Sequence, residues 1–377
     1  MSQARNLKKA SEPMNSQTQT QNSRLPGQGK PLIRALTGQA QTIPPMWLMR
    51  QAGRYLPEYR TLRQQAGGFL DLVYNPTFAA EVTIQPIRRF GMDAAILFSD
   101  ILVIPQALGQ HLEFREGDGP RLNPIRSAAE MAPLSFANFE KTLSPIYETI
   151  RTVRSQLDRE GFADTALIGF AGAPWTIACY MVDGGGSRDF AETKKWAYGD
   201  PDGFGRLIDL ITEATAAYLI QQIDHGAEAV QLFDSWAGAC DEGLFRRYCI
   251  QPAKTIVNLI RASHPDVPII GFPRQAGRLA LDYVQGTGVN AIGIDQMIPT
   301  RWAAQSLQPL ACVQGNLDPV CLLTGGDAMR ENVQSILDNL AGGPFVFNLG
   351  HGIIKETPPD HVAQLVAMVR EYSTGKA

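Results

Sequence analysis

Two guanidinium groups stand four residues apart in Met49-Arg50-Gln51-Ala52-Gly53-Arg54-Tyr55, directly after the apolar run Met46 to Met49. The planar fork of an arginine binds a carboxylate through two parallel N–H bonds and keeps its charge at any working pH. A close pair therefore suits a ligand with several carboxylates. The same spacing also suits a surface ion pair at a helix start. A group of opposite sign lies in Phe98-Ser99-Asp100-Ile101-Leu102-Val103-Ile104-Pro105. Set among apolar neighbours, Asp100 needs a partner. That partner is either an arginine in a structural ion pair or an otherwise apolar ligand that offers hydrogen-bond donors or positive charge. His351, flanked by glycines in Asn348-Leu349-Gly350-His351-Gly352-Ile353, could hydrogen-bond a carboxylate or move a proton near neutral pH.

Other chemistries find no support. The segment Gly169 to Tyr180, followed by Gly184-Gly185-Gly186-Ser187, has small residues that let backbone approach a ligand closely. It lacks the Gly-Lys-Ser/Thr ending of a phosphate loop and the glycine spacing of a dinucleotide site. No Gly-x-Ser-x-Gly elbow occurs. The five cysteines, Cys179, Cys240, Cys249, Cys312 and Cys321, form no Cys-x-x-Cys pair, so reduced thiols are expected rather than disulfides or a structural zinc site.

Such groups need a scaffold that brings distant segments together. From residue 31 onward, short apolar runs alternate with longer stretches of helical periodicity, the pattern of parallel strands joined by crossover helices. Eight runs qualify: Met46 to Met49, Ala94 to Phe98, Ala166 to Phe170, Ala229 to Phe233, Val267 to Phe272, Ala291 to Ile294, Leu310 to Val313 and Pro344 to Leu349. Helices are predicted over Leu207 to Ile223 with Gly226 at its left-handed end, from Asp327 to Leu340, and from a cap at Asp360 to Tyr372. A single (β/α)8 TIM-type barrel over residues 31–377 is the economical architecture, with an open doubly wound sheet as the rival. In a barrel the chemistry sits at the C-terminal ends of the strands. The residues just past the runs are Arg50 and Arg54, Asp100, Gly172 to Tyr180, Ser235, Arg274, Asp295, Asn316 and His351.

With 377 residues, 44% hydrophobic and 19% charged, the chain has the balance of a soluble globular protein. Its net charge of −3 provides no global basic field for nucleic acid or an anionic membrane. No apolar stretch approaches the roughly eighteen residues of a bilayer span. The reading is therefore a soluble, cytoplasmic protein with no nucleic-acid partner and no membrane association. Residues 1–30 are rich in Gln, Ser and Asn, with five basic residues against the single acid Glu12, and read as a disordered polar tail.

Several of these segments are similar to the blocks of one family. Met49 to Tyr59 and Gly169 to Thr176 resemble the two signature motifs of the uroporphyrinogen decarboxylases. Phe98 to Leu102, Gln314 to Pro319 and Phe347 to Ile353 resemble further family blocks in the expected order. The resemblance runs over about residues 31–372. It implies conversion of uroporphyrinogen III to coproporphyrinogen III in haem biosynthesis by loss of carbon dioxide from four acetate side chains. It implies no metal and no organic cofactor, and a homodimer of barrels.

Carried over residue by residue, the resemblance makes Arg50, Asp100, Tyr180 and His351 the catalytic candidates. Gln51, Ala52, Gly53, Arg54 and Ser235 join them in binding substrate, with Phe98, Phe170 and Phe233 as apolar walls. The proton donor stays open among Arg50, Tyr180, His351 and a bound water. Gly271-Phe272-Pro273-Arg274-Gln275 departs from the lysine and glycine that many relatives carry, which leaves the role of Arg274 undefined. Two rivals remain: a corrinoid- or thiol-dependent methyltransferase, which would need a His-x-Cys zinc motif, and a non-catalytic tetrapyrrole carrier, which could dispense with Asp100.

Overall fold

The structure, a computed structural model, describes residues 29–115 and 119–372. The strands, in chain order, are β1 (Ala94–Ile96), β2 (Leu112–Arg115), β3 (Gly119–Leu122), β4 (Ala166–Gly172), β5 (Ala229–Asp234), β6 (Ile269–Pro273), β7 (Ala291–Gly293), β8 (Cys312–Leu317) and β9 (Phe345–Leu349). Seven of them form one sheet in the order β1-β4-β5-β6-β7-β8-β9, parallel throughout. All seven residues of β4 and all five of β9 are buried, as strands covered by helices on one face and a packed interior on the other must be.

The remaining run, Met46 to Met49, does not form a ladder. Met46 makes an isolated parallel bridge to Phe347 of β9. On its other side, the Met46 N–H donates to Asp93 Oδ2 at 2.7 Å and the Asp93 N–H returns a bond to Met46 O at 3.0 Å, just ahead of β1. The ring is thus closed at one residue. Beyond it, side chains replace the backbone ladder. Gln51 Oε1 accepts the Leu48 N–H at 3.0 Å, Gln51 Nε2 donates to Ala94 O at 2.9 Å, and Asn348 Oδ1 accepts the Met49 N–H at 3.0 Å. The cause is local: Arg50 has φ +62°, a left-handed conformation incompatible with continuing a strand. Inside the barrel, Trp47 Nε1 donates to Gln314 Oε1 at 2.9 Å and Gln314 Nε2 to Gln231 Oε1 at 3.0 Å, a polar spine joining this closing segment to β8 and β5.

Most boundaries follow the apolar pattern, and the exceptions have physical reasons. β8 begins at Cys312 rather than at Leu310, which is half-exposed in a turn after the helix Thr300–Ser306. The helix predicted over Leu207 to Ile223 extends over Pro201–Asp224, because the Asp200 side chain accepts the Gly203 N–H and caps it early. The final helix spans Pro359–Glu371 with Pro358 at its cap, so Asp360 lies in the first turn instead of capping it. The antiparallel β2–β3 hairpin, absent from the sequence expectation, packs against the triple-glycine loop. A Cβ at Gly184 would lie 3.0 Å from Leu122 O and 2.9 Å from Pro124. Gly184 and Gly185 therefore let the loop approach the hairpin closely. The predicted polar tail falls outside the described residues except for Gly29 and Lys30. Lys30 corrects the boundary: it is buried, with Nζ 2.7 Å from Glu228 Oε2 and 2.8 Å from Thr165 O.

Candidate active site

The groups that close the barrel also set its mouth. Arg50 follows the closing segment and projects its exposed guanidinium where its charge acts on Asp100, Tyr180 and His351. Neither Arg50 nor Arg54 makes an ion pair with any described residue, so the surface-pair reading of their spacing does not hold. Gly352 lies directly against Arg50, and a Cβ there would sit 2.3 Å from Arg50 Cδ. Arg54, one turn on and also exposed, stands further out, near Tyr59.

Asp100 follows β1. Its Oδ1 accepts the Leu102 N–H at 2.8 Å, and Oδ2 has no hydrogen-bond partner among the described residues. No arginine pairs with it in contact. Burial pushes its carboxyl above the usual carboxylate range, opposed by the Leu102 N–H and by the Arg50 charge. Around it, Phe98 packs on Tyr59 with ring centroids 5.7 Å apart and on Phe69 at 6.0 Å, and Phe69 packs on Phe114 of the hairpin at 4.6 Å. Tyr180, in the helix Pro174–Asp183 that follows β4, has its phenol pushed up to about 12 by burial and by the Asp100 charge, against the pull of Arg50. It is a neutral hydrogen-bonding group near neutral pH. A second aromatic chain lines the opposite wall. Phe170 packs edge-on to Phe233 at 5.5 Å, Phe233 on Phe272 at 6.0 Å, and Phe272 stacks on His351 at 6.4 Å. Burial and the charges of Arg274 and Arg50 push the His351 imidazole down to about 3, so it is uncharged at working pH.

Not every residue named from the sequence belongs to this cluster. Gln51 is buried, with both ends of its side-chain amide committed to Leu48 and Ala94, so that amide holds the barrel. Ala52 and Gly53 are half-buried in the turn between the arginines. Gly53 has room for no more, since a Cβ would meet Arg50 O at 3.0 Å. Ser235 follows β5, half-buried, with its hydroxyl bonded to no other described residue. Asp295 and Asn316, at the ends of β7 and β8, bind backbone: Asp295 accepts the Met297 N–H at 2.8 Å, and Asn316 Nδ2 donates to Asp295 O and Ile298 O at 2.9 Å.

Sequence reasoning missed Trp236, whose ring packs tilted on Tyr180 at 4.1 Å, and Phe190, which packs tilted on Trp236 at 4.7 Å. It also missed Asp234, the acid that ends the buried strand β5. Asp234 is wholly buried. Its Oδ1 accepts from Thr176 Oγ1 at 2.5 Å, and its Oδ2 has no partner. Thr176 Oγ1 in turn accepts the Trp236 N–H at 3.1 Å, which ties Asp234 to the ring that packs on Tyr180.

Burial holds the Asp234 carboxyl at about 6, against the hydrogen bond from Thr176. The folded protein therefore keeps a proton there through a pH window in which the unfolded chain, with a carboxyl near 3.8, has lost it. Stability falls as pH rises through that window and the cost persists above it. Asp234→Asn removes this term, of order 2–3 kcal/mol at neutral pH on a scale of about 1.4 kcal/mol per pH unit. The difference in Tm between variant and wild type is expected to grow by a few degrees from pH 4 to pH 7. A difference independent of pH would show that Asp234 is charged in the fold throughout.

Among the described residues, no three His, Cys, Asp or Glu side chains stand together as metal ligands, and no helix is long and apolar enough to cross a membrane. Residues 28–372 match the family model described as uroporphyrinogen decarboxylase. A protein of that name from Rhodospirillum rubrum is 51% identical over 341 residues, covering 90% of this chain and 97% of the relative. One from a Chelativorans species is 55% identical over 340 residues, covering 90% and 98%. Among solved structures, a methyltransferase from Methanosarcina mazei superposes with a TM-score of 0.74 over 90% of this chain and 97% of its own, at 19% identity. That likeness is one of fold.

Proposed function

The chain belongs to the uroporphyrinogen decarboxylase family, and from that premise we propose that it removes carbon dioxide from the four acetate side chains of uroporphyrinogen III, giving coproporphyrinogen III. The observation that carries the reading is Asp100, a carboxylate without an ion-pair partner and with one free oxygen, set between aromatic walls beside unpaired arginines. That combination suits a ligand with an apolar ring, N–H donors at its centre and carboxylates at its rim.

Decarboxylation leaves an electron pair on carbon, and the pyrrole can receive it. A proton added to the ring carbon next to the one that bears the acetate makes the ring cationic, with part of the positive charge on the acetate-bearing carbon. The electrons of the bond to the carboxyl group then flow into that cation and carbon dioxide departs. A second proton adds to the exocyclic carbon and the first leaves the ring, so the net change is one carboxylate and one proton converted to a methyl group and carbon dioxide. Asp100 Oδ2 accepts the pyrrole N–H and faces the positive charge as it develops. A carboxylate already short of solvation gains more from a cation than from a neutral ring, which is stabilisation of the transition state over the ground state. Arg50 and Arg54 take rim carboxylates, Tyr180 and Ser235 offer hydroxyls, His351 offers a neutral ring nitrogen, and Phe98, Phe170 and Phe233 exclude water.

The same family reading extends to a cytoplasmic homodimer, which sedimentation of the purified protein tests. The activity is tested by anaerobic incubation with uroporphyrinogen III and separation of products by carboxylate number. A descending series from seven to four is expected. Recovery of unchanged substrate would identify a carrier.

A further inference from the structure

Arg274 is fixed in place from three directions without any protein group to bind. Its N–H donates to Asp234 O at 3.1 Å, its carbonyl accepts the Gly238 N–H at 3.0 Å, and the next residue, Gln275, donates its N–H to Asp295 Oδ2. Gln275 has φ +61°, the left-handed region that a glutamine adopts at a cost of order 1 kcal/mol. Apart from Phe190, the only other non-glycine with that conformation among the described residues is Arg50. Gly238 packs on this turn so closely that a Cβ would meet Gln275 Cβ at 2.4 Å. Yet the half-buried Arg274 side chain ends in no ion pair with any described residue, and its Nε is buried without a partner. A guanidinium N–H withdrawn from water and left unbonded is costly, unless a ligand completes it.

A neighbouring side chain is complementary. His351 Nδ1 is also buried and unbonded, and its ring stacks on Phe272, two residues before Arg274. We propose that Arg274 and His351 together form a carboxylate subsite on the β6–β9 side of the mouth, and that it takes a propionate of the tetrapyrrole rather than the acetate undergoing reaction.

The choice of propionate follows from charge. A carboxylate that leaves as carbon dioxide must give up its negative charge, so a guanidinium clamp would stabilise the ground state and oppose the step. A carboxylate retained through every turnover suffers no such penalty. The uncharged His351 donates or accepts there without adding repulsion to the two arginines that face it.

The proposal rests on the tetrapyrrole reading, and the test separates the two. Arg274→Gln and Arg274→Lys are assayed with uroporphyrinogen III and with the seven-, six- and five-carboxylate intermediates, and product affinity is measured by titration with coproporphyrin III, which carries propionates alone. For Arg274→Gln the expected result is a KM about tenfold higher or more for every substrate, kcat within about threefold, and a matching loss of coproporphyrin III affinity. Arg274→Lys should recover part of each. Unchanged KM values in a folded variant would overturn the subsite. A KM effect that fades as acetates are lost, with coproporphyrin III affinity intact, would overturn the propionate assignment. Wild-type protein that forms no product series would instead overturn the parent reading.

Discussion

Asp100→Asn is expected to lower kcat by about 10²- to 10³-fold, the scale of losing one preorganised electrostatic contact to a charge that develops in the transition state, with Tm changed by no more than a few degrees. The asparagine keeps the shape and can still accept the Leu102 N–H through Oδ1. Its amide then presents a donor where Oδ2 stood, against the pyrrole N–H and the growing cation. Because burial raises the Asp100 carboxyl, the acid limb of kcat/KM in the wild type should lie above the ordinary carboxylate value of 3.8, with activity lost as pH falls and the group takes up its proton. The limb does not belong to His351, which stays neutral down to about 3. Normal turnover by the asparagine variant in a steady-state assay would remove Asp100 from the mechanism.

Arg50→Ala is expected to reduce kcat/KM by about 10²-fold or more, the worth of a charge-assisted, bidentate contact that nothing else at the mouth replaces. An independent route to the same state runs through Gly352. With only 2.3 Å between a Cβ at that position and Arg50 Cδ, Gly352→Ala must push the guanidinium off its line while leaving its charge present. The two variants should share a raised KM, and the double variant should be little worse than Arg50→Ala alone, since residues acting through one contact are not additive. If the glycine variant matched the wild type in the same kinetic series, Arg50 would not need its placement against Gly352.

The scaffold was largely legible because parallel strands buried on both faces must be written in continuous apolar runs, and Ala166 to Phe170, Ala229 to Phe233 and Phe345 to Leu349 could hardly be anything else. The hairpin at 112–122 was not, because its strands read LEFR and GPRL, too short and too polar to show a period. Arg50, Asp100 and His351 could be found from their positions past apolar runs. Gln51 could not be told from a ligand-binding group, since a buried amide that bridges two strands and one that faces a substrate are the same residue beside the same arginine. Asp234 carried a signal like that of Asp100, an acid just past an apolar run, but Ser235 beside it drew the assignment. Trp236 gave no sign, because an aromatic after a strand is ordinarily core. The unpaired state of Arg274 is a property of three dimensions alone.

The single-residue closure of the ring bears on how the protein is made. Met46 and Met49 find their partners in Phe347 and Asn348, the latter pair separated by 299 positions along the chain. A chain emerging from the ribosome delivers Arg50 early, with Gln51 able to bind Leu48 and Ala94 at once, yet the surface against which Arg50 is set is absent until β9 has been synthesised and has reached the seam. The segment that completes the wall also brings His351 and Gly352, the ring and the surface against which Arg50 is set. Competence to bind substrate therefore comes late and all at once, with the last strand of translation, and a prematurely terminated chain would carry its arginines without the geometry that gives them a use.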